Sequence, residues 1–318
     1  MTTRVISEGP AVVSYNGFNY YTTDTITLTP DIKLREMVSA YYGPVDSRVT
    51  DKMFNLTFTP FGMMNNNAAK YFPFALSDLG KLIMPGTDLP VVIWTSDGTK
   101  ISIPAGVINK CPQLLLGTDI GPMGQMGIAC LGDITKVDAA ADAHYTISSA
   151  AISAHSLDPD KAPTPAYKAV VALAGTPDVV TEIDSEKGFT FDCGASLTPR
   201  SVNRYGTVNF KLSALKPTIS FSPFGITESA ALALFNIQGS GAAQLGASNK
   251  LGKSLVVKPA NDADKGITIT FADFKVQSGS MLFGESDPRH GQYVFTPAVK
   301  VTAGVPGALY TIAFPTWA

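Results

Sequence analysis

Leu56-Thr-Phe-Thr-Pro-Phe-Gly62 returns 163 residues later as Ile219-Ser-Phe-Ser-Pro-Phe-Gly225. In each copy apolar and polar residues alternate up to a Pro-Phe-Gly breaker, the pattern of a strand with one face on a core. Upstream at the same offset and without a gap, Tyr42-Gly43 meets Tyr205-Gly206, Val45 meets Val208 and Arg48 meets Lys211. Of the 21 pairs from Tyr42/Tyr205 to Gly62/Gly225, seven are identical, where residue usage alone gives about one or two.

The order of blocks continues on both sides while the offset drifts. Gly17-Phe18 and Leu28-Thr29-Pro30 match Gly188-Phe189 and Leu197-Thr198-Pro199. Downstream, Phe72 matches Phe235, Val91-Val92-Ile93 matches Leu255-Val256-Val257, Ile101-Ser102-Ile103 matches Ile267-Thr268-Ile269, and Gly124-Gln125 matches Gly291-Gln292. Self-similarity of this kind decides the architecture before any local reading does, and it points to an internal duplication. The two copies occupy 1–160 and 161–318, each of ordinary domain length. Pro159, Pro163 and Pro165 make 155–166 a semi-extended linker, with the boundary near Asp160.

Within a copy the dominant period is two. Phe54, Leu56 and Phe58 alternate with polar neighbours; so do Val208, Phe210 and Leu212, with Asn209 and Lys211 facing the other way. Asp97-Gly98 between Val91–Trp94 and Lys100–Ile103 is a hairpin signal, because it accepts the positive φ of a type I′ turn. One short helix per copy is expected. Ala69, Phe72, Leu76 and Leu79 have helical spacing after the asparagines at 65–67, with Pro73 shortening the run; Thr227-Glu228-Ser229 caps Ala230–Gln238, and Gly239 stops it. The fold class is therefore mainly β: two tandem sandwich or barrel-like domains of about seven or more strands, each with one short flanking helix.

Composition narrows the class of function. Only 16% of the 318 residues are charged, 50 in all, where an average soluble domain of this length carries about 80. A shortfall of that size implies a surface covered by partners, most simply by other copies of the chain. A mean hydropathy of +0.14 excludes disorder. No apolar run approaches the roughly 18 residues of a membrane span, and the first ten residues lack a secretory core, so synthesis and retention in a cytoplasm are expected. Cys111, Cys130 and Cys193 show no CxxC spacing, which fits a reducing compartment. A net charge of −2 offers no basic footprint for nucleic acid.

The search for chemistry is negative. His144 and His155 lie eleven apart in an alanine-rich stretch near Asp158 and Asp160, and His290 stands far from both, so solvated loop histidines are favoured over a metal site. No Gly-x-Ser-x-Gly elbow occurs, and Cys111 precedes Pro112 without an identifiable base. Gly121-Pro-Met-Gly124-Gln-Met-Gly127 lacks the Lys-Ser/Thr of a phosphate loop and reads as a turn before a strand. Asn55-Leu-Thr57 matches a glycosylation acceptor but sits inside a strand. Trp94 and Trp317 are core or interface anchors. No catalytic residue, cofactor or metal is expected, and the chain is not expected to be an enzyme. Residues 1–160 hold 10 Lys+Arg and 15 Asp+Glu, net −5, against 14 and 11, net +3, in 161–318; an acidic copy beside a basic one at each seam of a ring would help to set order and register.

The run Ile26-Thr-Leu-Thr-Pro30, Tyr42-Gly-Pro-Val-Asp-Ser-Arg48, Asn55–Gly62, Leu89-Pro-Val-Val-Ile93 and Asp97-Gly98 resembles the major tail, or tail tube, proteins of long-tailed, siphovirus-like bacteriophages. The resemblance is clearest over 15–135 and returns by repetition over 180–318. It implies a β-sandwich with a flanking helix, joined edge to edge into rings that stack as the tube through which DNA leaves the virion. Rings of that family usually hold six tube domains, so a duplicated chain implies a homotrimer with pseudo-sixfold symmetry. The implied partners are further copies of the chain, the tape measure, tail terminator and distal tail proteins, and DNA in transit, with no membrane; the implied location is the virion. A conduit must not grip phosphates, so an acidic or neutral lumen is expected. Alternatives are another tail or baseplate ring, a capsid decoration protein and, further off, a carbohydrate-binding or carbohydrate-cleaving β-sandwich, which the sparse tryptophans disfavour.

Overall fold

The computed structural model describes residues 11–22, 25–60, 68–83, 89–95, 98–117, 123–131, 146–149, 167–173, 179–202, 206–224, 253–261, 266–279, 291–299, 301–302 and 305–313. The chain is mainly β, in antiparallel sheets. The first half contributes β1 (Ala11–Tyr15), β2 (Phe18–Tyr21), β3 (Thr27–Ser39), β4 (Gly43–Phe58), β5 (Val91–Thr95), β6 (Thr99–Ile103), β7 (Ala105–Lys110), β8 (Leu114–Leu116), β9 (Met126–Leu131) and β10 (Thr146–Ser149). The second half opens with β11 (Tyr167–Leu173), β12 (Val179–Ser185), β13 (Phe189–Asp192), β14 (Ala195–Val202), β15 (Gly206–Leu215), β16 (Thr218–Phe221) and β17 (Pro223–Phe224). It closes with β18 (Lys253–Pro259), β19 (Thr268–Phe271), β20 (Phe274–Ser278), β21 (Tyr293–Pro297), β22 (Val301–Thr302), β23 (Val305–Pro306) and β24 (Thr311–Ala313).

The 163-residue offset is written into strand register. All eight pairs of the β14–β15 hairpin, from Ala195 with Leu215 to Val202 with Gly206, lie 163 residues beyond the pairs of β3 with β4 from Ile32 with Lys52 to Ser39 with Gly43. Both bulges recur at matching places, after Lys33 and Met37 in one hairpin and after Ser196 and Arg200 in the other. Bulges set the local bend and twist of a ladder, so sharing both is a stronger likeness than shared strand order. The turns match as well: Gly43 and Gly206 open the return strands at φ 72° and 71°, a conformation that glycine adopts without a Cβ penalty. Further down, the pairs of β13 with β16 stand 163 residues beyond Thr27–Thr57, Leu28–Leu56 and Thr29–Asn55. The one long strand β4 becomes two, β15 and β16, because Pro217 stands where Phe54 stands and cannot donate to a ladder.

The rest of each half follows the same plan. The order β10-β6-β5-β1-β2 in one sheet is repeated by β24-β19-β18-β11-β12 in another, with β17 added beside β12. The order β3-β4-β9-β7 is repeated by β13-β16-β21-β20, and the irregularity between Ile108 and Lys110 recurs between Val276 and Ser278. Gly124-Gln125 and Gly291-Gln292 both stand immediately before a strand, β9 and β21.

Three of the sequence matches are displaced. Leu28-Thr29-Pro30 occupies the place of Phe191-Asp192-Cys193; the look-alike Leu197-Thr198-Pro199 lies six residues further along the hairpin, opposite Leu212, Lys211 and Phe210. Ile101-Ser102-Ile103 corresponds to Ile269-Thr270-Phe271, two residues beyond the match made from sequence, because Ile93 pairs with Ile101 and Val257 with Ile269. Gly17-Phe18 forms the β1–β2 turn, whereas Gly188-Phe189 opens β13; by register Phe18 corresponds to Thr181. A slip of two preserves the buried face, which is why alternation could not reveal it.

The first helix is shorter than its apolar spacing suggests, four residues at α1 (Ala68–Tyr71), followed by a 3-10 turn at Leu76–Asp78. Pro73 accounts for the stop. The second helix, 230–238, the linker 155–166 and the turn residues 96–97 lie outside the described residues. The alternation of Phe54–Phe58 holds, with Leu56 and Phe58 buried. That of Val208–Leu212 does not: Asn209 is buried and Val208 only half-buried, since both faces of β15 are covered. One buried cluster runs through both halves, taking in Val13, Tyr20, Leu56, Val91 and Ile128 with Phe191, Leu212, Val257, Phe271 and Phe295.

Candidate functional site

Where the two halves meet, the first half covers β13 and β15 of the second, while residues 198–202 of β14 remain exposed. Strand β8 adds to the free edge of β13, pairing Leu114–Leu116 with Phe189–Phe191 and burying both phenylalanines. Residues 80–83 run along β15: Gly80 N–H donates to the Leu212 carbonyl at 2.9 Å, Ile83 N–H to that of Phe210 at 2.9 Å, and Leu212 N–H returns a bond to Lys81 at 3.2 Å. Phe210 joins Ala105, Val107, Ala129 and Leu131 of β7 and β9 in a small buried cluster, with Leu197 packed against it.

The seam carries a polar lock. Thr207 N–H donates to Asp51 Oδ1 at 2.7 Å and its hydroxyl to Oδ2 at 2.8 Å, while Lys33 Nζ stands 3.1 Å from Oδ2. Burial alone would raise the Asp51 carboxyl, but the Thr207 hydroxyl and amide and the Lys33 ammonium together hold it below its ordinary value. Elsewhere on the junction, Gln113 donates to Asp192 at 2.9 Å, and the Tyr310 hydroxyl donates to the Phe74 carbonyl at 3.3 Å.

The matching hairpin of the first half has no such cover. Ile32, Leu34, Met37, Val38, Tyr41, Tyr42, Val45 and Val49 are all exposed along β3, β4 and their turn, with Leu34 and Val49 at 59% and 58%. Their counterparts 163 residues on include Leu212, wholly buried, and Leu197, partly buried against the small cluster. Among the described residues no strand pairs with β3 on the side that β8 takes on β13, and Ile26 and Leu28 are correspondingly less buried than Phe189 and Phe191. Exposed apolar side chains gathered along one hairpin in this way mark an interaction site. Its charges balance: Asp31, Glu36, Asp46 and Asp51 against Lys33, Arg35, Arg48 and Lys52.

Nothing else among the described residues gathers a reactive constellation. No three His, Cys, Asp or Glu side chains converge there as a metal site. His144, His155, His290, Asp158, Asp160 and Trp317 lie outside those residues, as do Gly121 and Pro122. Cys111 meets Cys193 across the seam, both buried, and the neighbouring thiol together with burial pushes the Cys111 thiol well up; burial pushes Cys130 up to about 12. Trp94 is half-buried, with Lys100 Nζ 5.8 Å from its ring centre. A cavity of about 430 Å³ beneath 68–83 is lined by Tyr15, Tyr20, Lys70, Phe74, Asp78 and Ile108. Its polar groups serve the backbone: Tyr20 OH donates to Lys70 O at 2.7 Å, Tyr15 OH to Gly106 O at 3.2 Å, and Asp78 accepts from Ala75 N–H at 2.9 Å.

Alternation in β3 and β4 reads alike whether a strand faces a core or a partner, so sequence could not single out this exposed face. The signal available was the offset itself, which pairs exposed Leu34 and Val49 with the more covered Leu197 and Leu212. No helix among the described residues is long and apolar enough to cross a membrane. No protein-family model matches this chain, and neither does any curated protein sequence.

Proposed function

We propose that the chain is a structural virion protein that assembles head to tail into rings, the rings stacking as the tail tube of a long-tailed bacteriophage, a passive conduit for DNA. The observation that carries this reading is the pair of hairpins in one register, one with its strand β15 covered by its own chain and the other exposing apolar side chains along both strands. A unit that covers the return strand of its second hairpin and leaves its first open is built to repeat, and repetition about an axis closes as a ring. Closure also removes the exposed edge of β3, which otherwise invites uncontrolled strand pairing.

In this reading three chains supply six tube-like units. The work is mechanical, with no reaction to catalyse and no cofactor to hold. The balanced charges of the hairpin and the net −2 of the chain suit a lumen that lets phosphates slide past. Synthesis takes place in the host cytoplasm and the protein ends in the virion, where tape measure, terminator and distal tail proteins are its neighbours. Negative-stain electron microscopy of the purified protein tests this. Hollow tubes of uniform width support it; rings that never extend favour a baseplate or decoration component, and dispersed monomers at high concentration reject it.

A further inference from the structure

We propose that the first-half hairpin face centred on Leu34 and Val49 receives the second half of another copy of this chain, reproducing between chains the seam that joins the two halves within one. The inference rests on the ring-forming reading and adds which faces meet. If the seam repeats, each residue on it has a counterpart, and the counterparts can be read from strand register.

The apolar centre is kept. Leu212 and Leu197, covered by the first half, correspond to Leu34 and Val49 as a pair, both exposed and both apolar. The polar lock is lost on both sides at once. Asp51 corresponds to Ala214 and Thr207 to Pro44, so the side that would lack the carboxylate also lacks the N–H and hydroxyl that would need it. A lone Thr at 44 or a lone Asp at 214 would leave a buried polar group unmatched. The small cluster changes in the opposite sense. Three of its five members, Phe210, Val107 and Ala129, correspond to the polar Ser47, Lys275 and Thr296, and Ala105 to Asp273, while Leu131 corresponds to the apolar Ala298. The substitutions thus keep each surface matched to the one that would face it.

The edge strands agree with this. The β13 edge is filled by β8, and the counterpart edge at Thr27–Thr29 is open on that side among the described residues. A neighbouring chain docked as described brings its second half to this edge. The partner is therefore a second copy of the same chain, docked through a heterologous contact that leaves its own first-half hairpin free for a third.

Cross-linking tests the assignment. The Pro44→Cys, Ala214→Cys double variant is treated with a short bis-maleimide, since the three native thiols are buried. The expected result is loss of the monomer band to covalent dimers and trimers on a denaturing gel, while an equimolar mixture of the two single variants yields dimers only. Rings or tubes that form without this cross-link, or with a link inside one chain only, overturn the seam and leave the ring reading standing. Absence of any assembly by the unmodified chain overturns both. Leu34→Asp and Val49→Asp, exposed in the monomer, provide a second arm: the variants melt like the parent yet lose assembly, and assembly that persists overturns the proposal.

Discussion

Asp51 of β4 and Thr207 of β15, 156 residues apart, share two hydrogen bonds of 2.7 and 2.8 Å across the junction of the two halves. Both groups are almost wholly buried, so each depends on the other to replace water. Removing the carboxylate strands a buried N–H and a hydroxyl. Asp51→Ala is expected to lower the unfolding free energy by about 2–3 kcal/mol, and Asp51→Asn by less, because the amide oxygen still accepts one bond. Urea denaturation of the three proteins measures this.

The same carboxylate makes the junction acid-sensitive. Its folded-state value lies below the ordinary one, so its contribution is present above the unfolded value of about 3.9 and is lost as pH falls through the folded value. The stability gap between the parent and Asp51→Asn is expected to be full at pH 7 and to close as the pH is lowered below about 4. Denaturation midpoints at a series of pH values follow the closure.

At the alkaline end the buried thiols act in the opposite direction. Cys130, raised from 9.0 to about 12, favours the folded state below its unfolded value and loses that contribution as pH rises from about 9 towards 12. Cys111, raised by the neighbouring Cys193 thiol and by burial, follows the same direction, as do Tyr15, Tyr20 and Tyr71, raised by burial. A thiol reagent at pH 8 is expected to find no reactive cysteine in the native protein and three after denaturation.

Gly43 and Gly206 share a backbone conformation but differ in surroundings, which makes them a controlled pair. A Cβ at Gly206 would stand 2.5 Å from Asp51 Oδ1, whereas one at Gly43 meets nothing within 4 Å. Both alanine variants suffer the positive-φ penalty of about 1–2 kcal/mol. Gly206→Ala is expected to lose more stability than Gly43→Ala, since it also displaces the lock. If ring seams repeat the internal one, Gly43→Ala shows its larger effect on assembly, where the next chain's Ala214 backbone arrives. Thermal melts of dilute monomer and sedimentation at high concentration separate the two effects.

How far sequence carries depends on what kind of information a feature leaves behind. Offset and strand content are legible because Gly43 and Gly206 open the return strands of the two hairpins, and Leu56–Phe58 and Ile219–Phe221 mark buried strand faces. Register is not: Leu197-Thr198-Pro199 copies Leu28-Thr29-Pro30 in letters while standing six positions away in the hairpin. The two bulges that reveal the true match involve no special residue type. Nor does sequence reveal that β8 leaves its own half to complete the sheet of the other, since Leu114–Leu116 would suit any sheet edge. The exposed face is invisible for a related reason: Leu34 and Val49 carry the same apolar character as the partly buried Leu197 and the buried Leu212, and only the fold distinguishes a covered side chain from an exposed one.

The central claim is that copies of this chain join head to tail and close after three. Native mass spectrometry of the assembled ring, read with class-averaged end views, tests it most directly. The account predicts a mass of three chains and an outline of six lobes in threefold alternation. A ring of six full chains, or a protein that remains monomeric at concentrations where tail proteins assemble, would contradict it.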